Sequence, residues 1–431
     1  MAGPIKASSS GSTGNISATP PKGSTLTVLM LVFAVFFILG GVTNINDLLV
    51  GKFKPMFQLS HAQANLVQMA FFIAYAAFSI PAGIIMARLG YIRTFVLGFV
   101  MVAAASFLFI PASASASYGG FLAALFFIGA GITVLQVAMN PVITTLGPAE
   151  TSHSRLTFAQ AFNSVGVFLM VYGGAELLLG GHETIDPATA NAEQIQAYRV
   201  AEGAVIGDSY MVLGFAMLAI AGLFWLFRSA LDHAKAEQTQ VEGTLDLFLD
   251  NSRVRFGAIC IFAYVGAEVA IGSNLIAYLG EQSVMGLSLV EGGKLVAYYW
   301  LGAMIGRLVG GFVLRMFAPG RVLMTYATAA IGLIALSAVS TGALAGWALV
   351  LVGFCNSLMF PTIFSLGTEG LSDKQASQGS GIMCTAIVGG AIVPWLFGTM
   401  ADAAGLRTAL IVPVICYAII ATFGWYTRRP A

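Results

Sequence analysis

Apolar stretches long enough to cross a bilayer recur along the whole of this 431-residue chain. A spanning helix needs about 20 mostly apolar residues. Between the charges and the Pro/Gly breaks lie twelve such stretches, at 25–51, 62–87, 93–112, 118–146, 155–180 and 206–228, then 254–280, 291–316, 321–341, 343–368, 376–401 and 406–427. Only 9% of the residues are charged and 58% are hydrophobic, whereas a soluble domain carries about 25% charged residues. So little charge cannot coat a water-facing surface of this size. A soluble enzyme, a nucleic-acid binder and a disordered scaffold are thereby disfavoured, and the net charge of +1 adds no basic bias toward nucleic acid. The fold class is an all-α membrane protein lying in a lipid bilayer.

The polar gap 229–253, with Asp232, His233, Lys235, Glu237, Glu242, Asp246, Asp250 and Arg253, divides the stretches six and six. We therefore expect a flexible cytoplasmic tail at 1–24, a six-helix bundle at 25–228, a cytoplasmic linker at 229–253 and a second bundle at 254–431. Lys and Arg orient such a chain. With the N-terminus in the cytoplasm, fourteen of them fall on that side, five on the other, and Arg307 falls within a span. Both termini are expected to be cytoplasmic. Cys260, Cys355, Cys384 and Cys416 all sit in apolar stretches without CxxC or Cys/His spacing, so they read as small buried hydrophobes. No metal site and no cofactor is expected.

The two halves echo each other. Gly83 and Arg93 fall on Gly311 and Arg321 at a shift of 228; Gln136-Val-Ala-Met139-Asn140-Pro141 falls on Asn356-Ser-Leu-Met359-Phe360-Pro361 at 220; Gly166 and Gly174 fall on Gly390 and Gly398 at 224. The first and seventh stretches show no convincing match. Two parallel six-helix repeats around a polar site suit alternating access, in which the halves rock about the bilayer midplane.

A charge at the membrane centre costs about 2.5–3.5 kcal/mol on the insertion scale, yet Asp47, Glu176 and Glu268 fall inside apolar stretches, and no histidine does. Asn44 and Asp47 stand three apart and share a helix face. A carboxyl group shielded from water holds its proton more firmly, which suits it to reversible proton carriage. Gln136 and Asn140 also share a face, and Pro141 frees the Gln136 carbonyl because it lacks an N–H. Gln160 and Asn163 mark the fifth stretch, Glu268, Ser273 and Asn274 the seventh, Tyr298, Tyr299 and Trp300 the eighth, and Asn356 the tenth. Amides and aromatic faces with few charges suit a neutral polyhydroxylated solute better than an ion. Arg307 belongs near a cytoplasmic gate, and Glu176, near a span end, reads as structural or gating. No HExxH, no GxxxxGK[ST] and no catalytic acidic pair appears, so a membrane enzyme is disfavoured.

These residues together resemble the fucose–galactose–glucose:H⁺ symporter family of the major facilitator superfamily. The resemblance rests on Asn44-Ile-Asn-Asp47, Gln68-Met-Ala-Phe-Phe, Pro81-Ala-Gly83, Met139-Asn140-Pro141, Arg155-Leu-Thr-Phe-Ala-Gln160-Ala-Phe-Asn163-Ser164, Tyr264-Val-Gly266-Ala-Glu268, Cys355-Asn356-Ser357-Leu-Met-Phe-Pro361 and Gln378-Gly-Ser-Gly381. It implies a monomeric transporter of a bacterial inner membrane that imports a hexose or related sugar with protons. Asp47 would be the proton-linked group, and Asn44, Gln136, Gln160, Asn163, Glu268, Asn274 and Asn356 would meet the sugar. Arg88, Arg93, Arg307, Arg315 and Arg321 would serve the gates. The resemblance also implies a Glu on the fourth stretch, where Gln136 stands. A Gln cannot ionise, so it either alters the coupling or imitates the protonated carboxyl. Beside Arg88, Ala87 stands where the family often has an acid. An amino sugar or drug-like cargo, sodium as the coupling ion, and an uncoupled uniporter are the rivals.

Overall fold

The computed structural model describes residues 22–145, 152–180, 190–226, 228, 244–371 and 373–428. Most of the expected tail (residues 1–21) and linker residues 229–243 lie outside these. Among the described residues there is no strand, and twelve helices are long and apolar enough to span a membrane. In chain order they are α1 Met30–Phe57, α2 His61–Met86, α3 Tyr91–Ala114, α4 Tyr118–Met139, α5 Ala159–Leu179, α6 Ala192–Leu226, α7 Ser252–Gly280, α8 Leu289–Met316, α9 Pro319–Val339, α10 Gly342–Thr368, α11 Gln378–Ala404 and α12 Leu406–Tyr426. A short helix, Thr244–Asp250, leads into α7. Even numbering places the start of α1 and the end of α12 at one end of the bundle, here the terminal end.

Two boundaries differ from expectation for one electrostatic reason. The helix α6 begins at Ala192, not 206, and α1 runs past Lys52 and Lys54 to Phe57. Charges that seemed to forbid these extensions answer each other. Buried Lys52 pairs with buried Glu202, and Arg199 donates to the Met56 carbonyl at 3.1 Å while lying over the Phe57 ring. A paired charge is far cheaper to bury than a lone one.

The repeat is tighter than the sequence suggested, and close helix contacts set its register. Ser60 and Gln63 form a capping box at the start of α2, and Ser288 and Glu291 form another at the start of α8, at the same shift of 228. Each box satisfies two backbone N–H groups that a helix start leaves open. A Cβ on Gly129 of α4 would strike the Phe71 carbonyl of α2, and one on Gly353 of α10 would strike the Tyr299 carbonyl of α8. Those pairs put α4 and α10 in register at 224. The expected equivalence of Gln136 and Asn356 at 220 is therefore displaced by one helical turn. The helix α10 is interrupted at Ser357–Leu358, between Gly353 and Pro361. The first and seventh spans do correspond. Gly166 of α5 abuts the Phe37 carbonyl of α1, and Gly389 of α11 abuts the Phe262 carbonyl of α7. This moves the α5/α11 register from 224 to 223. Backbones this close exclude any side chain, which is why glycine holds these positions.

The halves meet along two quasi-equivalent seams, α2 against α11 and α5 against α8. Gly390 abuts the Phe72 ring on one seam, and Gly293 abuts Ala175 and Leu179 on the other.

Candidate functional site

The polar residues gather in three places. The first lies between the halves, toward the end opposite the termini. At Ile45 the helix α1 tightens by one turn, with the Leu48 N–H reaching the Ile45 carbonyl at 3.0 Å. Such a turn within a helix often marks a hinge. It sets Asp47 in the first turn of the second segment of α1, 3% exposed. Oδ1 of Asp47 accepts from Gln68 Nε2 of α2 at 3.0 Å and from Ser273 Oγ of α7 at 2.8 Å. Oδ2 accepts from Trp300 Nε1 of α8 at 3.1 Å. The other Gln68 amide hydrogen goes to Ser273 Oγ at 2.7 Å. One carboxylate thus ties α1 and α2 of the first half to α7 and α8 of the second. Room for it comes from Gly272, where a Cβ would lie 3.1 Å from Oδ2.

Further cross-half contacts seal the same end. Asn65 and Asn274 exchange amide hydrogen bonds at 2.9 and 3.1 Å. Asp402 of α11 takes the free N–H groups of His61 and Ala62 at the start of α2, at 2.7 and 2.9 Å. Glu176 of α5 pairs with Lys294 of α8. Near the terminal end, Arg307 of α8 donates to Ser164 Oγ of α5 at 2.7 Å.

The third cluster lies wholly inside the second half. Glu268, 9% exposed, has its Oε1 at 2.7 Å from Tyr264 Oη. Tyr264 Oη also lies 3.1 Å from the Asn356 carbonyl. The Asn356 amide donates to Tyr299 Oη at 2.6 Å and accepts from Tyr417 Oη at 2.7 Å. Tyr299 in turn donates to the Glu268 carbonyl at 3.1 Å.

The remaining sequence candidates divide by environment. Gln136 and Gln160 are half-buried. Asn44 turns its amide onto the Gly40 carbonyl of its own helix at 2.9 Å, and Asn163 braces α5 to α1 through the Phe36 carbonyl at 3.0 Å. The side chains of Ala87 and Asn140 and that of Arg155 lie outside the described set. Arg88, Arg93, Arg315 and Arg321 are exposed at the terminal end. The aromatic trio splits: Tyr299 and Trp300 are buried, whereas Tyr298 is 40% exposed and packs on Tyr172 and Trp347. The four cysteines carry free thiols, and no cluster with metal-ligand character occurs among the described residues.

Sequence reasoning did not single out Asn65, Gln68, Trp300 or Asp402 as partners across the halves. Gln68 and Trp300 were visible as a polar residue and an aromatic in apolar runs. Their pairing with Asp47 is a property of how the halves dock, which no local pattern encodes.

The profile of the Major Facilitator Superfamily matches residues 25–387. The chain is 41% identical over 404 residues to a glucose/galactose transporter of Brucella abortus biovar 1 (strain 9-941), covering 93% of each chain. It is 34% identical over 413 residues to an L-fucose-proton symporter of Escherichia coli (strain K12), again covering 93% of each. The crystal structure of FucP, a transporter of this superfamily in the outward conformation, superposes with a TM-score of 0.71 at 33% identity, over 95% of this chain and 100% of that one. Twelve apolar spans, two six-helix halves in parallel repeat and this similarity along nearly the whole chain agree: the protein belongs to the Major Facilitator Superfamily.

Proposed function

We propose that this chain carries a hexose into a bacterial cell together with protons, from an inner-membrane position with both termini in the cytoplasm. The carrying observation is the Asp47 carboxylate, bonded at once to Gln68, Ser273 and Trp300. Its three donors use all the hydrogens they have, so the cluster is complete when Asp47 is charged. A proton on Asp47 adds a hydrogen where donors already point and removes an acceptor that holds the halves together. Protonation therefore favours opening of this seal, which in our reading faces the outside. The outward-open state then binds a proton more tightly than the sealed state, and the proton is loaded outside and released inside. Differential affinity for the two conformations is what couples an ion to a transport cycle.

The sugar lies between the halves, where the half-buried amides of Gln136 and Gln160 meet its hydroxyls. Asn44, Asn163, Asn274, Glu268 and Asn356 are already bonded to protein groups, and they reach the sugar only when those bonds exchange during the cycle. Gln136 cannot ionise, so proton linkage in the first half falls to Asp47. Arg307 with Ser164 forms the inner clasp, and Arg88, Arg93, Arg315 and Arg321 flank the inner gate. The similarity to transporters named for glucose, galactose and fucose supports the cargo class.

The test uses proteoliposomes with labelled hexose. The wild-type chain should accumulate sugar under an inward proton gradient and lose accumulation when the gradient is collapsed. Asp47→Asn should keep counterflow, which needs no net proton movement, and lose accumulation. Gln136→Glu should deepen the proton dependence. Undiminished uphill uptake by Asp47→Asn would sink the assignment.

A further inference from the structure

We propose that Glu268 is a second proton-binding carboxyl of the transport cycle, held here in its protonated form by the tyrosine cage of the second half. This rests on the symport reading above and adds a group to it. The inference comes from counting hydrogens. The Tyr264 hydroxyl has one hydrogen and stands against two acceptors, Glu268 Oε1 at 2.7 Å and the Asn356 carbonyl at 3.1 Å. A backbone carbonyl can only accept. Both contacts become good hydrogen bonds when Glu268 carries a proton. Glu268 then donates to Tyr264 Oη, and Tyr264 donates to the Asn356 carbonyl.

The hydroxyl hydrogens of the other two tyrosines in the cage are committed elsewhere. Tyr299 gives its hydrogen to the Glu268 carbonyl and receives one from the Asn356 amide; Tyr417 gives its own to Asn356 Oδ1. The other titratable and charged groups that act on Glu268 are Tyr299 and Arg307 of α8, Tyr417 of α12 and Asp47 of α1. Arg307, the positive member, is bonded to Ser164 in the other half.

Loss of the proton has a defined local consequence. The O–H bond of Glu268 breaks and the proton leaves to water. The Tyr264 hydrogen swings to the new carboxylate, and the Asn356 carbonyl loses its partner. That carbonyl stands at the end of the first segment of α10, immediately before its break at Ser357–Leu358. Deprotonation of Glu268 is thereby felt at a hinge of the second half, as deprotonation of Asp47 is felt at the seam between the halves. The second ionisable group that Gln136 cannot supply in the first half is present on α7.

The experiment compares wild type, Glu268→Gln and Asp47→Asn as purified full-length chains and in proteoliposomes. The infrared carbonyl-stretch band of a protonated carboxyl should be present in wild type and Asp47→Asn, fade as pH rises, and be absent in Glu268→Gln. The amide that Glu268→Gln introduces can still donate to Tyr264, so that variant should melt like wild type and lose proton-driven accumulation. Tyr264→Phe retains the carboxyl while removing the donor to its charged form, so the band should persist to higher pH; this variant tests the idea even if Glu268→Gln fails to fold. Identical carboxyl bands in wild type and Glu268→Gln, or wild-type accumulation by Glu268→Gln, overturns the proposal. Failure of the symport reading shows separately, as accumulation by wild type that ignores the proton gradient.

Discussion

Asp47 and Glu268 are both buried, Asp47 just after a helix break and Glu268 linked to another through Tyr264 and the Asn356 carbonyl, and the protein solvates them in opposite ways. Asp47 sits between the halves and faces only donors: an amide, a hydroxyl and an indole. Glu268 sits inside one half, and the hydroxyl it meets has its hydrogen within reach of a competing carbonyl. The first environment completes a charged carboxylate, the second a neutral acid. Burial alone would treat the two alike. What separates them is the number of hydrogens their neighbours can supply, because a buried polar group left without a partner costs about 1–3 kcal/mol. In the proposed cycle the difference matches location to role: the charged group fastens the two halves, and the neutral one supports the break in α10 within a single half.

The largest expected effect follows from breaking the Asp47 side. Trp300→Phe removes one donor to a charged acceptor, worth about 1.5–3 kcal/mol. The equilibrium between sealed and open outer ends should shift toward open by about tenfold or more, read as widened distances between spin labels placed on α2 and α11 at that end. The melting temperature should change little, because neither half loses its own core.

Tyr417→Phe probes the Glu268 side. It strands the buried Asn356 Oδ1 and should destabilise the second half by about 1–3 kcal/mol, seen as lowered melting of the purified chain. The outer-seal distances should stay as in wild type. If Tyr417→Phe moves the seal and Trp300→Phe moves only the melting, the contrast between the two regions is wrong.

A smaller effect sharpens the geometry. A Cβ at Gly272 would lie 3.1 Å from Asp47 Oδ2, tight enough that the carboxylate must shift by a few tenths of an ångström. Gly272→Ala should weaken the Trp300 contact and open the seal less than Trp300→Phe does. Smallest of all is Lys294→Gln. Its ion pair with Glu176 is largely solvated, with side chains 33% and 68% exposed, and exposed pairs contribute little. Melting and seal distances should both stay close to wild type, and a large shift would move the fastening of the halves away from Asp47.

Much of this was legible in the chain. Hydropathy alone placed twelve spans and the six-and-six division, because lipid imposes a length and a composition on any segment that crosses it. Asp47, Glu268 and Asn356 stood out because polar groups are expensive there. The start of α6 was misplaced because hydropathy prices each charge as if it were alone, and Glu202 is answered by Lys52 from another helix. The register of the repeat was off by a turn at Gln136 because Pro141 and Pro361 align by type, while the helix contacts that fix register belong to Gly129 and Gly353. The capping boxes at Ser60 and Ser288 carried the correct shift in plain view. The partners of Asp47 were not legible, since Ser273 and Trp300 lie more than two hundred residues away and meet it only when the halves dock.

The central claim is that the protonation state of Asp47 governs the outer seal. It is tested most directly by measuring spin-label distances across that end, between α2 and α11, as pH is lowered in wild type and in Asp47→Asn. The account predicts that acid opens the seal in wild type, and that Asp47→Asn is already open at neutral pH and insensitive to further acid. A wild-type seal that ignores pH, or an Asp47→Asn chain that titrates as wild type does, would contradict it.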